Sequence, residues 1–178
     1  MLDRRSALAS FPPVASDAVS LGEARGFTLT QAAGFSTDIE AAISAVTGPL
    51  PSTTDKSIES NGRVIFRTAP LQFWLVGPEQ DDLARQLVDK CIVTSLSHSR
   101  TRIFIDGYRA RDVLAKGIGI DLHPSEFTSG TFAMTGLHHT PILLHCVSQH
   151  RFELYAMRTF AANIWEWLTD AALEFTAS

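Results

Sequence analysis

SLSHSRTRIFIDGYRARDVLAKG, from Ser95 to Gly117, gathers Arg100, Arg102, Arg109, Arg111 and Lys116 behind His98. Guanidinium groups offer paired donors that fit anionic oxygens, so the chemistry open to this stretch is the grip of a phosphate or a polyglutamate tail. The alternation supplies a simpler account. Arg100 and Arg102 interleave with Thr101 and Ile103, which on a strand puts both arginines on a solvated or subunit-contacting face and turns Ile103 and Ile105 toward a core. Asp106-Gly107 reads as a helix start and Gly117 as its C-cap. Gly117-Ile118-Gly119 lacks a third glycine and follows a helix, so it is no dinucleotide fingerprint.

His138, His139, His145 and His150 raise the question of a metal. No pair has i, i+4 spacing, no cysteine joins them in zinc-site order, and adjacent His138 and His139 would point to opposite faces of a strand. His98, between Ser97 and Ser99, has no nucleophile or orienting carboxylate near it in sequence, and structural hydrogen bonding is its expected role. Asp121-Leu122-His123-Pro124 could pair carboxylate with imidazole, but a turn before proline accounts for the same residues. In Ile164-Trp165-Glu166-Trp167-Leu168, two tryptophans two apart on one helix cannot share one face. Ile164, Leu168, Ala171 and Phe175 form the inward stripe, Trp165 lies at its edge, and Trp167 points outward as an expected interface anchor.

The elements that must position these residues follow from periodicity. Residues 1–20 mix Pro, Ser, Ala and charge without a period and read as an extended arm that could dock on partners. Residues 21–178 read as a single α+β domain. A strand over Phe27 to Ala32 leads to a helix with capping-box spacing at Thr37 and Glu40 and a face of Ile39, Ile43 and Val46, stopped by Gly48-Pro49. Gly48 to Asn61 is the most loop-like interior stretch. A hairpin of Arg63 to Ala69 and Leu71 to Val76 then turns at Ala69-Pro70. Gly77 to Asp82 opens a helix whose buried stripe is Leu83, Ala84, Leu87 and Val88. The order recurs as a strand ending in Arg102 to Ile105, a helix from Gly107 to Lys116, hairpin arms at Ile142 to Val147 and Phe152 to Met157, and a helix from Phe160 to Phe175. The plan is a βαββα unit used twice, an α+β fold of two interlocked ferredoxin-like units with helices segregated to one face of antiparallel hairpins.

The totals narrow the class. A formal charge of −4 over 178 residues, with cations scattered among acids, argues against a nucleic-acid partner. Cys91 and Cys146 lack a CxxC spacing and lie in apolar runs, as buried thiols suited to a reducing cytoplasm. The apolar run before Pro12-Pro13 is too short for a signal segment, and no run reaches the length of a membrane span.

SLSHSRTRIFIDGYRARDVLAKG, GIDLHPSEF, GTFAMTGLHHTPILL and RFELYAMRTFAANIWEWLTDAALEF together resemble the gamma subunit of heterotetrameric sarcosine oxidase, from Leu21 to Phe175 and most strongly from Ser95 onward. That family is similar in fold to the N-terminal part of the glycine-cleavage aminomethyltransferase and related folate-binding proteins, where a DLSHRTRI-like strand enters a GxxARxxL helix. The resemblance implies a non-catalytic assembly subunit of a flavoenzyme that oxidatively demethylates sarcosine or a related N-methyl amino acid. No cofactor is then expected on this chain: the alpha, beta and delta subunits would carry FAD, FMN, NAD, tetrahydrofolate and zinc. The folate-binding relatives place an aspartate where this chain has Ser95, ahead of Leu96-Ser97. Arg100, Arg102 and Arg109 are accordingly expected to meet acidic groups of the alpha subunit, with Trp167 as a further contact. The alternative is a stand-alone folate-binding one-carbon transferase.

Overall fold

In the computed structural model, which describes residues 5–176, the chain forms two compact units. One is continuous, Gly26–His98; the other joins the N-terminal segment through Arg25 to the chain from Ser99 onward. Among the described residues no helix is long and apolar enough to cross a membrane.

The continuous unit runs β3 (Phe27–Ala33), α1 (Asp38–Thr47), β4 (Ser57–Ser60), β5 (Arg63–Ala69), β6 (Gln72–Pro78), α2 (Leu83–Leu87) and β7 (Ile92–Ser95). Its antiparallel sheet has the order β4-β5-β6-β3-β7. Ile39 and Ile43 of α1 and Leu83 and Leu87 of α2 pack on Ala32, Ile65, Phe73 and Leu75, as period-two strands beneath amphipathic helices require. Gly48, at φ 89°, ends α1 in the left-handed region. The capping box does not form: Thr37 makes no side-chain cap, and the Glu40 carboxylate instead accepts from Arg67 at 2.7 Å. Val88, expected in the buried stripe, is exposed because α2 ends at Leu87.

The other unit holds β1 (Val14–Ala15), β2 (Ser20–Glu23), β8 (Arg100–Asp106), α3 (Ala110–Ala115), β9 (Phe132–Leu137), β10 (Thr140–Cys146), β11 (Arg151–Met157), a 3-10 turn (Arg158–Phe160) and α4 (Ala161–Thr176). The sheet order is β1-β2-β8-β11-β10-β9. Ile103, Ile105, Leu144, Phe152 and Leu154 face Val113 and Leu114 of α3 and Ile164 and Leu168 of α4. The N-terminal segment is woven into this unit: Leu8 and Val19 are buried in its core, and Ser16 Oγ donates to Phe175 O at 3.3 Å.

The repeat is therefore present with more strands than the sequence suggests, five in one sheet and six in the other among the described residues against three expected in each. β4 follows α1 and β9 follows α3, each pairing with the next strand as a hairpin. Ser57–Ser60 has no apolar alternation, and Phe132–Leu137 is interrupted by Thr135 and Gly136, so neither announces itself by period.

Gly107 is the tightest point of the second unit. It adopts φ 131°, and a Cβ there would overlap the backbone at Ala18 O and Val19 Cα. Gly107→Ala is expected to destabilise the chain by about 2–4 kcal/mol through strain and overlap. Gly119→Ala, in open space, should stay within about 0.5 kcal/mol. Thermal unfolding of the two variants checks both values.

Candidate functional site

The stretch that opened the sequence reading folds as the end of one unit and the start of the other. Ser97 Oγ accepts from the N–H of Leu29 at 2.9 Å, fixing the chain after β7. β8 then carries the arginines into α3. Arg111, on the first turn of α3, is a clamp: it donates to the carbonyls of Leu122 (2.5 Å), Phe127 (3.1 Å) and Gln149 (3.3 Å) and lies over the Phe152 ring. Its donors hold loop backbone that would otherwise be poorly satisfied. Ala110 and Leu114 fill the core. Gly117 is not a left-handed cap: the Trp167 ring lies 2.5 Å from where its Cβ would be, so absence of a side chain is the requirement.

The strongest polar constellation lies on the face of the second sheet that turns away from α3 and α4. Arg102 forks onto Glu153, with Nε to Oε2 at 2.9 Å and Nη2 to Oε1 at 2.6 Å, and Tyr155 Oη donates to Oε2 at 3.0 Å. The registers Arg102↔Tyr155 and His145↔Glu153 bring the four side chains together across β8, β11 and β10. Glu153 is only 3% exposed. Burial opposes the charge of Arg102, yet Tyr155 and Glu153 outweigh it and hold its pKa above the ordinary arginine value. Burial, reinforced by the Glu153 charge, pushes the Tyr155 hydroxyl well above the ordinary phenol range. Burial likewise pulls His145 down to about 4, against the attraction of Glu153, so the imidazole is neutral at pH 7. The cluster carries its own counter-charge, since Glu153 neutralises the Arg102 guanidinium along its Nε–Nη2 side.

The other sequence candidates fall elsewhere. Arg109 pairs with Asp112 at 2.9 Å on the surface, where such pairs contribute little to stability. Arg100 donates to Ser99 Oγ at 3.1 Å and is partly buried, which lowers its pKa. Trp165 is buried in the core rather than at its edge. Trp167 is half-buried, with its ring centroid 6.2 Å from that of His138. His138 and His139 form the turn between β9 and β10 rather than lying on a strand; His138 sits at φ 56°, and the two rings meet edge-on at 4.8 Å. Among the described residues no three His, Cys, Asp or Glu side chains converge in metal-binding proximity.

A cavity of about 550 Å³ beside α3 brings Arg111, Asp121 and His123 together. Its polar groups are engaged with their own backbone and neighbours: Asp121 Oδ1 accepts from the His123 N–H at 2.7 Å, and His123 Nδ1 lies 2.8 Å from Ser125 Oγ. Both cysteines are free, and burial pushes each thiol above its usual pKa, away from a reactive thiolate. Glu153 is the residue that sequence reasoning missed. The available signal was an acid on the non-core parity of one strand opposite an arginine on the same parity of its neighbour.

Two measurements test this cluster. Glu153→Gln leaves a buried guanidinium without its counter-charge and should cost about 3 kcal/mol, whereas the double variant Arg102→Met/Glu153→Leu should cost less. For His145 the folded pKa lies below the unfolded one, so stability is full above pH 6.5 and declines as the unfolded chain takes up a proton. About 2 kcal/mol should be lost between pH 6.5 and pH 5 from this residue. Denaturant melts across that range should show the slope, and His145→Gln should remove it. Below that range the carboxylates of Asp81 and Glu40, held low by hydrogen bonds from Arg63 and Arg67, add their own losses.

Known proteins share this architecture to different depths. A chain of the heterotetrameric sarcosine oxidase from Corynebacterium sp. U-96, solved with pyrrole 2-carboxylate, superposes with a TM-score of 0.90 at 27% identity, over 98% of this chain and 97% of that one. The glycine cleavage system aminomethyltransferase T from Bartonella henselae shares the fold alone, with a TM-score of 0.63 at 17% identity, over 83% of this chain and 44% of that one. No curated protein sequence matches. The sarcosine oxidase gamma subunit family matches residues 71–174, a span that holds β8, α3, the Arg102–Glu153 fork and Trp167. A match over more than half of the chain, together with the whole-length superposition, makes this protein a member of the sarcosine oxidase gamma subunit family.

Proposed function

We propose that the chain is the gamma subunit of a heterotetrameric sarcosine-oxidase-type flavoenzyme, contributing a rigid assembly surface and no redox chemistry of its own. The observation that carries this reading is the near-complete superposition on one chain of the Corynebacterium enzyme. Alpha, beta and delta subunits are its partners in this reading. They would hold FAD, FMN, NAD, tetrahydrofolate and zinc, and would oxidise sarcosine or a related N-methyl amino acid.

The residues support such a division of labour. Three of the groups that the sequence offers as nucleophile, base or anion clamp are committed to structure: Arg102 to Glu153, Arg111 to three carbonyls, and Asp121 to a turn. The resemblance to folate-binding proteins raises the question of a folate site, and the fit here is poor. Ser95 stands in place of the aspartate, on an exposed edge strand, and the arginine closest to that motif's core is neutralised. The one-carbon transferase reading is therefore not favoured. Arg100, Arg109 with its partner Asp112, and the half-buried Trp167 are the proposed contacts with acidic and apolar surface of the alpha subunit, while Arg102, paired with Glu153, serves from within by stiffening its sheet.

Co-expression with the flavin-bearing chains, followed by purification through one of them, tests the reading. The chain should elute in stoichiometric amount, and Trp167→Ala should weaken assembly at least about tenfold. A chain that stays monomeric beside them overturns the subunit role, and unchanged affinity for Trp167→Ala overturns the anchor.

A further inference from the structure

The two copies of the repeat differ at one sheet edge. Counted from the outer hairpin strand, one sheet runs β9-β10-β11-β8-β2-β1 and the other β4-β5-β6-β3-β7. β7 therefore occupies the place of β2. In the first sheet that place is covered on its outer side by β1, where Val14 and Ala15 pair with Leu21 and Ser20. Nothing among the described residues takes the place of β1 beside β7.

The backbone of that edge is available for pairing. Leu96 N–H donates to Leu29 O, and the register Gln31↔Thr94 and Ala33↔Ile92 continues the same parity. The N–H and C=O groups of Thr94 thus point to β3, and those of Val93 and Ser95 point outward. Ile92-Val93-Thr94-Ser95 contains no charge, proline or bulge, the devices that ordinarily protect an edge. The opposite edge strand, β4, is guarded by Glu59 and follows Asp55-Lys56. Beside the open edge Ile92 is 52% exposed, and Phe35, two residues beyond its partner Ala33, is 93% exposed.

We propose that the outer edge of β7 receives an extended segment of a partner subunit, which lies along Ile92–Ser95 as β1 lies along β2, with Phe35 and Ile92 as its apolar contacts. The proposal rests on the subunit reading above and names the surface and the mode of binding within it. A second copy of this chain is a poor occupant: a four-residue strand paired with itself, even with these side chains, falls far short of the roughly 1,600 Å² of a standard stable interface. A larger subunit that also meets the chain elsewhere can supply the remainder. The segment it contributes must be extended, free of proline at the positions that donate to Val93 and Ser95, and uncharged beside Ile92.

Site-resolved amide exchange on the full-length chain, alone and in the assembled complex, tests the proposal. The amides of Val93 and Ser95 should exchange freely in the isolated chain and slow about a hundredfold or more on assembly, while Thr94 is protected in both states. Ser95→Pro removes one outward donor and leaves the bonds to β3, and Ile92→Lys charges the exposed face; each should weaken assembly about tenfold with unchanged melting of the isolated chain. Fast exchange at Val93 and Ser95 within an assembled complex overturns the strand pairing and leaves the subunit reading intact. Protection of both amides in an isolated chain of dimeric mass overturns it in favour of self-pairing. A chain that never enters the complex overturns the subunit reading, and this inference with it.

Discussion

A buried guanidinium must be answered by charge and by hydrogen bonds, and in this protein Glu153 answers Arg102 with both. The fork spans β8 and β11, the central pair of the larger sheet, with Tyr155 and neutral His145 completing the group. Removing two ions from water costs several kcal/mol each, so such a pair is a weak source of net stability. It is a strong source of register. A slip of one residue between β8 and β11 would turn Arg102 and Glu153 into the apolar layer beneath α3 and α4, where no partner waits for either. The alignment of β8 with β11 therefore fixes where α3 begins, and with it the Arg111 clamp and the loops that clamp holds.

The DLSHRTRI-like strand and GxxARxxL helix acquire a physical meaning from this arrangement. Gly107 admits the chain against Ala18, Ala110 and Leu114 seat the helix, and Arg111 gathers three carbonyls. The motif therefore has a structural meaning in this chain, because these residues define the fold.

The α+β class, the doubled plan and most helix positions were legible because apolar period survives in the strands that face helices. Ile103 and Ile105, Leu144 and Cys146, or Ile39 and Ile43 betray their elements directly. β4, β7 and β9 were not legible, since each lies at or near a sheet edge where one side is wet and the other held only in part. Helix ends followed pairing preferences invisible in one dimension: Glu40 turned to Arg67 instead of its own N-terminus, and Gly117 answered to Trp167, fifty residues away. The polar cluster was half visible. Arg102 stood out by charge, but its partner Glu153 looked like any acid in a hairpin until the register set them diagonally across two strands.

One unit is made from a single run of chain, the other from its two ends. On the ribosome, residues 26–98 have all their neighbours as soon as they emerge, whereas β2 must wait for β8, some eighty residues later, and Ser16 for Phe175. The segment ahead of Gly26 thus finds its seat only after the chain beyond Ser99 has been made. Each chain passes through a stage in which the continuous unit has its partners and β2 is still without β8.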